Sequence, residues 1–223
     1  MSTASTSSAR RKILFLAQFS ILLALEAIVC FTPLGSLPAL GPIVATLSHV
    51  PVILTAILLG PLAGSLMGFS FGLFSLLVWT FTPPSPLVAF AFTPFYSLGQ
   101  FQGNAWSLVI CFVPRILIGL AAGWIFALAK NRRKWEFPVA AVGGVLGSLV
   151  NTFLVLGGIW LFFGRQYAEG AGFPYDTILA VIGATVLASG LPEAAIGGFL
   201  AAAVAVPVRR IVFKGELNPR SNA

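Results

Sequence analysis

PLAGSLMGFSFGLFSLLVWTF, residues 61–81, holds no charged side chain over its whole length. About 20 such residues, rising about 1.5 Å each, cover a hydrocarbon core of about 30 Å. The stretch therefore reads as a helix crossing a bilayer. Gly60, Gly64, Gly68 and Gly72 recur every fourth residue, which puts a smooth ridge on one helix face where another helix can come close. Working outward, five further apolar segments qualify as spans: 13–31, 43–59, 107–129, 137–163 and 177–206. Segment 43–59 is short and meets 61–81 at Gly60-Pro61, too tight a turn for a loop outside the membrane surface. The expected fold class is an all-α membrane protein with six transmembrane helices. Residues 1–12 form a flexible N-terminus, 13–208 the membrane domain and 209–223 a basic tail.

Composition points the same way. Of 223 residues, 58% are hydrophobic and 9% charged, and the mean hydropathy of +0.98 excludes a soluble fold. The net charge of +7 does not indicate nucleic-acid binding, because the cations stand at the ends of apolar runs instead of along a basic face. Three precede the first segment, four lie in Lys130, Arg132, Arg133 and Lys134, and four in Arg209, Arg210, Lys214 and Arg220. Positive loops stay in the cytoplasm, so both termini are expected there. Trp79, Trp106, Trp135 and Trp160 fall near segment ends, where interfacial aromatics sit. The first segment carries Glu26 and lacks a small-residue cleavage site, so it reads as a retained span and not as a signal peptide. Cys30 and Cys111 lie in separate apolar segments and read as buried thiols.

With this orientation the connections 32–42, 82–106 and 164–176 face outward, and they are rich in Pro, Gly and aromatics. Structured loops of this length favour ligand contact on the outer side. Four polar side chains inside the spans require an explanation, since a charge at the bilayer centre costs about 2.5–3.5 kcal/mol on insertion scales. They are Glu26, Arg115, Asn151 and Glu193. Arg115 lies about 13 Å below the start of its segment and Asn151 about 18 Å below the outer end of its own. An internal pair of Arg115 with Glu26 or Glu193 and a ligand pocket are both open readings. Glu193 follows Pro192, where a helix break would expose backbone carbonyls. His49 is the only histidine, so zinc and haem sites have no basis. No serine motif supports an intramembrane hydrolase, and no phosphate loop of the form G-x-x-x-x-G-K-[ST] occurs. No catalytic residue, metal or cofactor is expected, and any ATP must be bound by another chain. Small residues at Ala17, Ser20 and Ala24, and at Gly143 and Gly147, offer further close-packing faces.

The blocks LEAIVCFTPLG (25–35), ATLSHVPVILTAILLGPLAGSLMGFSFGLFSLL (45–77), FTPFY (92–96), GNAWSLVICFVPRILIG (103–119) and ASGLPEA (188–194) resemble the substrate-binding S components of energy-coupling factor (ECF) vitamin transporters. The resemblance implies a six-helix subunit in a bacterial plasma membrane that captures a vitamin on the outer side. It also implies partners: a transmembrane coupling subunit and two cytoplasmic ATPases. Docking on the coupling subunit is expected through Ser20 and Ala24, in place of an Ala-x-x-x-Ala pair, and through Gly60, Gly64 and Gly68. Within the family the HVPVI and LPEA segments look most like the pantothenate-specific group. Arg115 would then pair with the vitamin carboxylate, with His49 and Asn151 on its polar groups and Glu26, Tyr96 and Asn104 as further substrate-binding candidates. The alternatives are a cobalamin-specific component, with Phe95, Tyr96, Phe101, Tyr167 and Tyr175 over a corrin ring, and a self-sufficient secondary transporter. The latter usually shows internal repeats, and the two halves of this chain show none.

Overall fold

A computed structural model describes residues 3–32, 47–128 and 133–212. Its helices are α1 (Thr3–Phe31), α2 (Val50–Leu59), α3 (Pro61–Phe81), α4 (Ala105–Ala127), α5 (Glu136–Ala171), α6 (Ile178–Thr185) and α7 (Leu191–Val212). A π-helical turn, Val186–Gly190, joins α6 to α7. Between α3 and α4 lie a 3₁₀ helix, Pro86–Ala91, and an antiparallel pair, β1 (Ser97–Leu98) and β2 (Phe101–Gln102), with Ser97 opposite Gln102. Five stretches are long and apolar enough to cross a membrane: Ala9–Phe31, Pro61–Phe81, Ala105–Ala127, Arg133–Ala171 and Tyr175–Ile211. The remaining expected span is represented by the ten-residue α2. Residues 33–46, including the first outer connection and the expected start of the second segment, lie outside the described residues, as do Lys130, Arg132, Lys214 and Arg220.

The α2–α3 junction shows how tightly the chain turns. Gly60 has φ 101° and ψ 170°, a region essentially restricted to glycine. Its N–H donates to the Ala56 carbonyl and its own carbonyl accepts from the Gly64 N–H, both at 3.0 Å. One residue therefore ends α2 and opens α3, with Pro61 in the first helical position, where its missing N–H costs nothing. Beyond this turn the glycine ridge meets α4 in an antiparallel seam. A methyl on Gly64 would crowd Ala56 and Gly119, one on Gly68 would overlap the Arg115 carbonyl, and one on Gly72 would meet the Phe112 ring. Gly64 and Gly68, expected to dock a partner subunit, are thus buried against the chain's own α2 and α4.

The second departure from expectation is the length of α5. Its 36 residues extend about 54 Å, so the expected outer loop at Gly164 is helix as far as Ala171. Phe163 and Tyr167 explain this extension, because both are buried against Val88, Phe90 and Phe92 of the 3₁₀ segment. Phe90 and Phe163 meet edge-on at 5.6 Å. Gly172, at φ 75°, then ends the helix by donating its N–H to the Ala168 and Glu169 carbonyls. Arg165 consequently sits on the helix with its guanidinium 5.8 Å from the Tyr175 ring centroid.

Two apolar clusters result. One joins α2 and α3 to α4, α5 and α7 around Ile53, Met67, Ile118 and Ala201, and the other lies under the 3₁₀ segment. α1 packs at the side, touching α2 and α3. Ile13, Leu16, Ile21 and Ile28 face outward, while Glu26 is fully buried.

Gly60→Ala should lower the unfolding midpoint of the detergent-purified protein by the equivalent of about 1–3 kcal/mol. Gly157→Ala, at a glycine with nothing within 4 Å of the added methyl, should leave the midpoint unchanged or slightly raised. Equal behaviour of the two variants in thermal unfolding would contradict the strained turn.

Candidate functional site

Pro114 stands inside α4 and has no N–H to give to the carbonyl four residues back, that of Ile110. The Arg115 guanidinium fills this vacancy: its Nη1 donates to the Ile110 carbonyl at 2.8 Å. The proline thus frees an acceptor and the next residue takes it, so the long side chain is folded back along its own helix. Phe71 of α3 and Phe92, at the end of the 3₁₀ segment, bracket the cation, with ring centroids 5.5 Å and 5.2 Å from its Cζ. Phe92 is itself stacked on Trp79 at 4.4 Å. Arg115 is 6% exposed, and its Nε is buried without a hydrogen-bond partner. Among the described residues the ion pairs are His49–Glu193 and Glu136–Arg210. Arg115 therefore has no carboxylate partner, and the internal pair with Glu26 or Glu193 left open by the sequence is not formed.

This cation faces a cavity of about 140 Å³, whose walls include Phe71, Ser75, Trp79, Phe92, Asn151, Thr152, Val155, Ser189 and Glu193. Phe71 belongs to one apolar cluster and Phe92 and Val155 to the other, so the cavity occupies the seam between them. Thr32, Val78 and Pro84 also line it, which opens it toward the end of the bundle that carries β1 and β2. The π turn places Ser189 and Gly190 on the wall, one turn ahead of Glu193. Wide turns of this kind recur at functional sites. Two of the wall's polar atoms, Asn151 Oδ1 and Ser189 Oγ, are buried without partners. Together with Arg115 Nε they form a set of unmet donors and acceptors around one space, which suits a ligand that is both anionic and hydrogen-bonding.

Of the residues singled out in the sequence, Arg115 and Asn151 line the cavity. His49 is wholly buried behind it, at the start of α2. Its Nε2 is hydrogen-bonded to Ser148 Oγ at 2.5 Å, and its Nδ1 lies 3.2 Å from Glu193 Oε1. Glu26 accepts from the Cys30 thiol at 3.2 Å and leaves Oε2 unpartnered; Cys30, one turn on, reaches the cavity wall. Asn104 caps α4, its Oδ1 accepting from the Trp106 N–H at 2.8 Å while Ser107 Oγ accepts from the Asn104 N–H at 3.0 Å. The Tyr96 carbonyl accepts from the Gly103 N–H beside the β pair. Neither Asn104 nor Tyr96 is among the lining residues. Ser20 and Ala24 are exposed on α1. Sequence reasoning did not find Phe71, Trp79, Phe92, Thr152 or Ser189. An aromatic one turn along the glycine face of α3 and a serine one turn ahead of Glu193 were the available signals.

The described helices thus enclose a largely apolar pocket faced by a buried cation that has no carboxylate at ion-pair distance among the described residues. Residues 14–209 match the model of the family described as "ECF transporter, substrate-specific component". The chain belongs to this family, which comprises the substrate-binding components of transporters and not enzymes. Such components work with a vitamin substrate and a module of membrane and ATPase subunits. The chain is 35% identical over 162 residues to the pantothenic acid transporter PanT of Lactococcus lactis subsp. cremoris (strain MG1363), an alignment covering 69% of this chain and 78% of that protein. Its fold matches the crystal structure of the S component for biotin from an ECF-type ABC transporter, with a TM-score of 0.55 at 17% identity, covering 90% of this chain and 93% of that one. The chain is therefore a multi-pass membrane protein with the S-component fold.

If Arg115 is an uncompensated buried charge, Arg115→Met should raise the thermal midpoint of the ligand-free protein, since an apolar side chain of similar reach removes the desolvation cost. A lower midpoint would mean that the guanidinium is already neutralised in the empty protein.

Proposed function

We propose that this chain captures pantothenate at the outer face of a bacterial plasma membrane and passes it inward with an ECF module of a coupling subunit and two ATPases. The observation that carries this reading is the buried, unpaired Arg115 guanidinium facing a cavity with unmet polar atoms. Pantothenate has a carboxylate at one end, an amide in the middle and two hydroxyls at the other end. The carboxylate pairs with Arg115 as a charge-assisted hydrogen bond, while Asn151 and Ser189 meet amide and hydroxyl groups. The PanT relative agrees with this ligand. A volume of about 140 Å³ is in the class of an engineered cavity of about 150 Å³ that accepts benzene. It disfavours a corrin ring.

The proposed topology has six spans, α2 with its preceding residues supplying the short one, and both termini in the cytoplasm. Arg133, Lys134, Arg209 and Arg210 cluster at the end of the bundle away from the cavity mouth, which supports this orientation by the positive-inside rule. Ser20 and Ala24 present the small face of α1 to the coupling subunit, with Gly60 at the α2–α3 turn as the nearby contact, because Gly64 and Gly68 are already occupied within the chain.

Calorimetry of the purified protein against a vitamin panel should give one-to-one pantothenate binding without ATP. Arg115→Gln should weaken it by at least about 30-fold, the lower bound set by a cost of about 2–5 kcal/mol for truncating one member of a buried charge pair. Binding of a different vitamin, or an unchanged affinity in Arg115→Gln, would overturn the assignment. Ala24→Phe should reduce co-purification with the coupling subunit while pantothenate affinity stays within about twofold. Parallel loss of both would place Ala24 in folding and not in docking.

A further inference from the structure

Ser148 of α5, His49 at the start of α2 and Glu193 of α7 form a buried line that ends on the cavity wall. Ser148 Oγ bonds His49 Nε2, and His49 Nδ1 stands at ion-pair distance from Glu193 Oε1. His49 is 0% and Ser148 1% exposed, and neither lines the cavity, whereas Glu193 does. The order serine, histidine, carboxylate is that of a hydrolase triad. Here it runs the other way round: the serine is sealed in the core and the carboxylate faces the ligand space. No substrate carbonyl reaches Ser148, so nucleophilic catalysis is not what the line supports.

The packing is built around it. Gly197 lies one turn beyond Glu193 on α7, and a methyl there would stand 2.8 Å from His49 Nε2 and 3.2 Å from Ser148 Oγ. The glycine gives the imidazole its place between α5 and α7. Thr152, which lines the cavity, donates its hydroxyl to the Ser148 carbonyl at 3.2 Å, so the same turn of α5 holds the serine and one wall of the pocket.

We infer that Glu193 is the specificity-determining acceptor for the hydroxyl end of the ligand, with His49 and Ser148 as positioning residues that fix the direction of its carboxylate. This rests on the pantothenate reading and deepens it. Glu193 Oε1 stands 3.2 Å from the imidazole Nδ1 without hydrogen-bond geometry, and the other carboxylate oxygen is left to accept from ligand O–H groups, an acceptor-only task that an ionised carboxylate performs well. The pocket is then polar at two ends: Arg115 on α4 reads a negative group, and Glu193 on α7 reads hydrogen-bond donors. A site built to bond a hydroxyl rejects the analogue that lacks it far more strongly than an apolar wall does.

The test compares three ligands by calorimetry: pantothenate, an analogue with both pantoyl hydroxyls replaced by hydrogen, and the alcohol analogue in which CH₂OH replaces the carboxylate. Wild-type protein should bind the hydroxyl-free analogue at least about 10-fold more weakly than pantothenate. Glu193→Gln and Ser148→Ala should each reduce that discrimination at least threefold, leaving discrimination against the alcohol analogue unchanged, and Ser148→Thr should restore it. A general packing defect would weaken all three ligands together. Equal wild-type affinity for pantothenate and its hydroxyl-free analogue overturns the inference and leaves pantothenate capture standing. Unaltered hydroxyl discrimination in both Glu193→Gln and Ser148→Ala also overturns it. Failure of wild-type protein to bind pantothenate at all removes the functional reading beneath it.

Discussion

A guanidinium held in an apolar bundle with no carboxylate at ion-pair distance among the described residues is the constraint on which the rest of the structure depends. A proline in mid-helix and a buried arginine are each costly when taken alone. Side by side, Pro114 and Arg115 offset part of each other's cost, because the carbonyl that the proline leaves free becomes the acceptor for the arginine. The remaining imbalance, a cation with an unpartnered Nε between two aromatic rings, is retained. Retaining it stores part of the binding energy for an anionic ligand in the empty protein.

Neighbouring elements are arranged to keep this charge in place. The glycine seam brings the α3 backbone against the carbonyl of Arg115 itself at Gly68, so the helix carrying the cation cannot slide. Thr80 and Thr93 share a hydrogen bond at 2.7 Å, which ties the end of α3 to the residue after Phe92. The overlong α5 supplies Phe163 and Tyr167 to hold the same segment down. The pocket's rigidity therefore comes from helix packing and from a folded cap.

Much of this was legible in the sequence, because lipid imposes strong rules. Uncharged runs, cation placement and the four-residue glycine spacing identified the membrane helices and a close-packed α3, and the depths of Arg115 and Asn151 brought both to one cavity. Where each ridge faces was not legible. Gly64 and Gly68 look the same whether they meet α4 or a foreign helix. His49 gave no sign that its partners stand 99 and 144 positions further on, at Ser148 and Glu193, because local pattern carries no information on such contacts. The extension of α5 was hidden because Gly164, Arg165 and Gln166 resemble a loop, while the contacts that keep them helical come from the 3₁₀ segment. The π turn was hidden as well, since Pro192 signals an irregularity without saying which kind.

All of these features matter to function only if the unpaired guanidinium is the seat of the ligand's negative charge. The most direct measurement is an experimental structure of the protein with pantothenate bound. The carboxylate oxygens should lie about 2.7–2.9 Å from Arg115 nitrogens, between Phe71 and Phe92. A carboxylate bound elsewhere, with Arg115 Nε still unpartnered, would contradict the account.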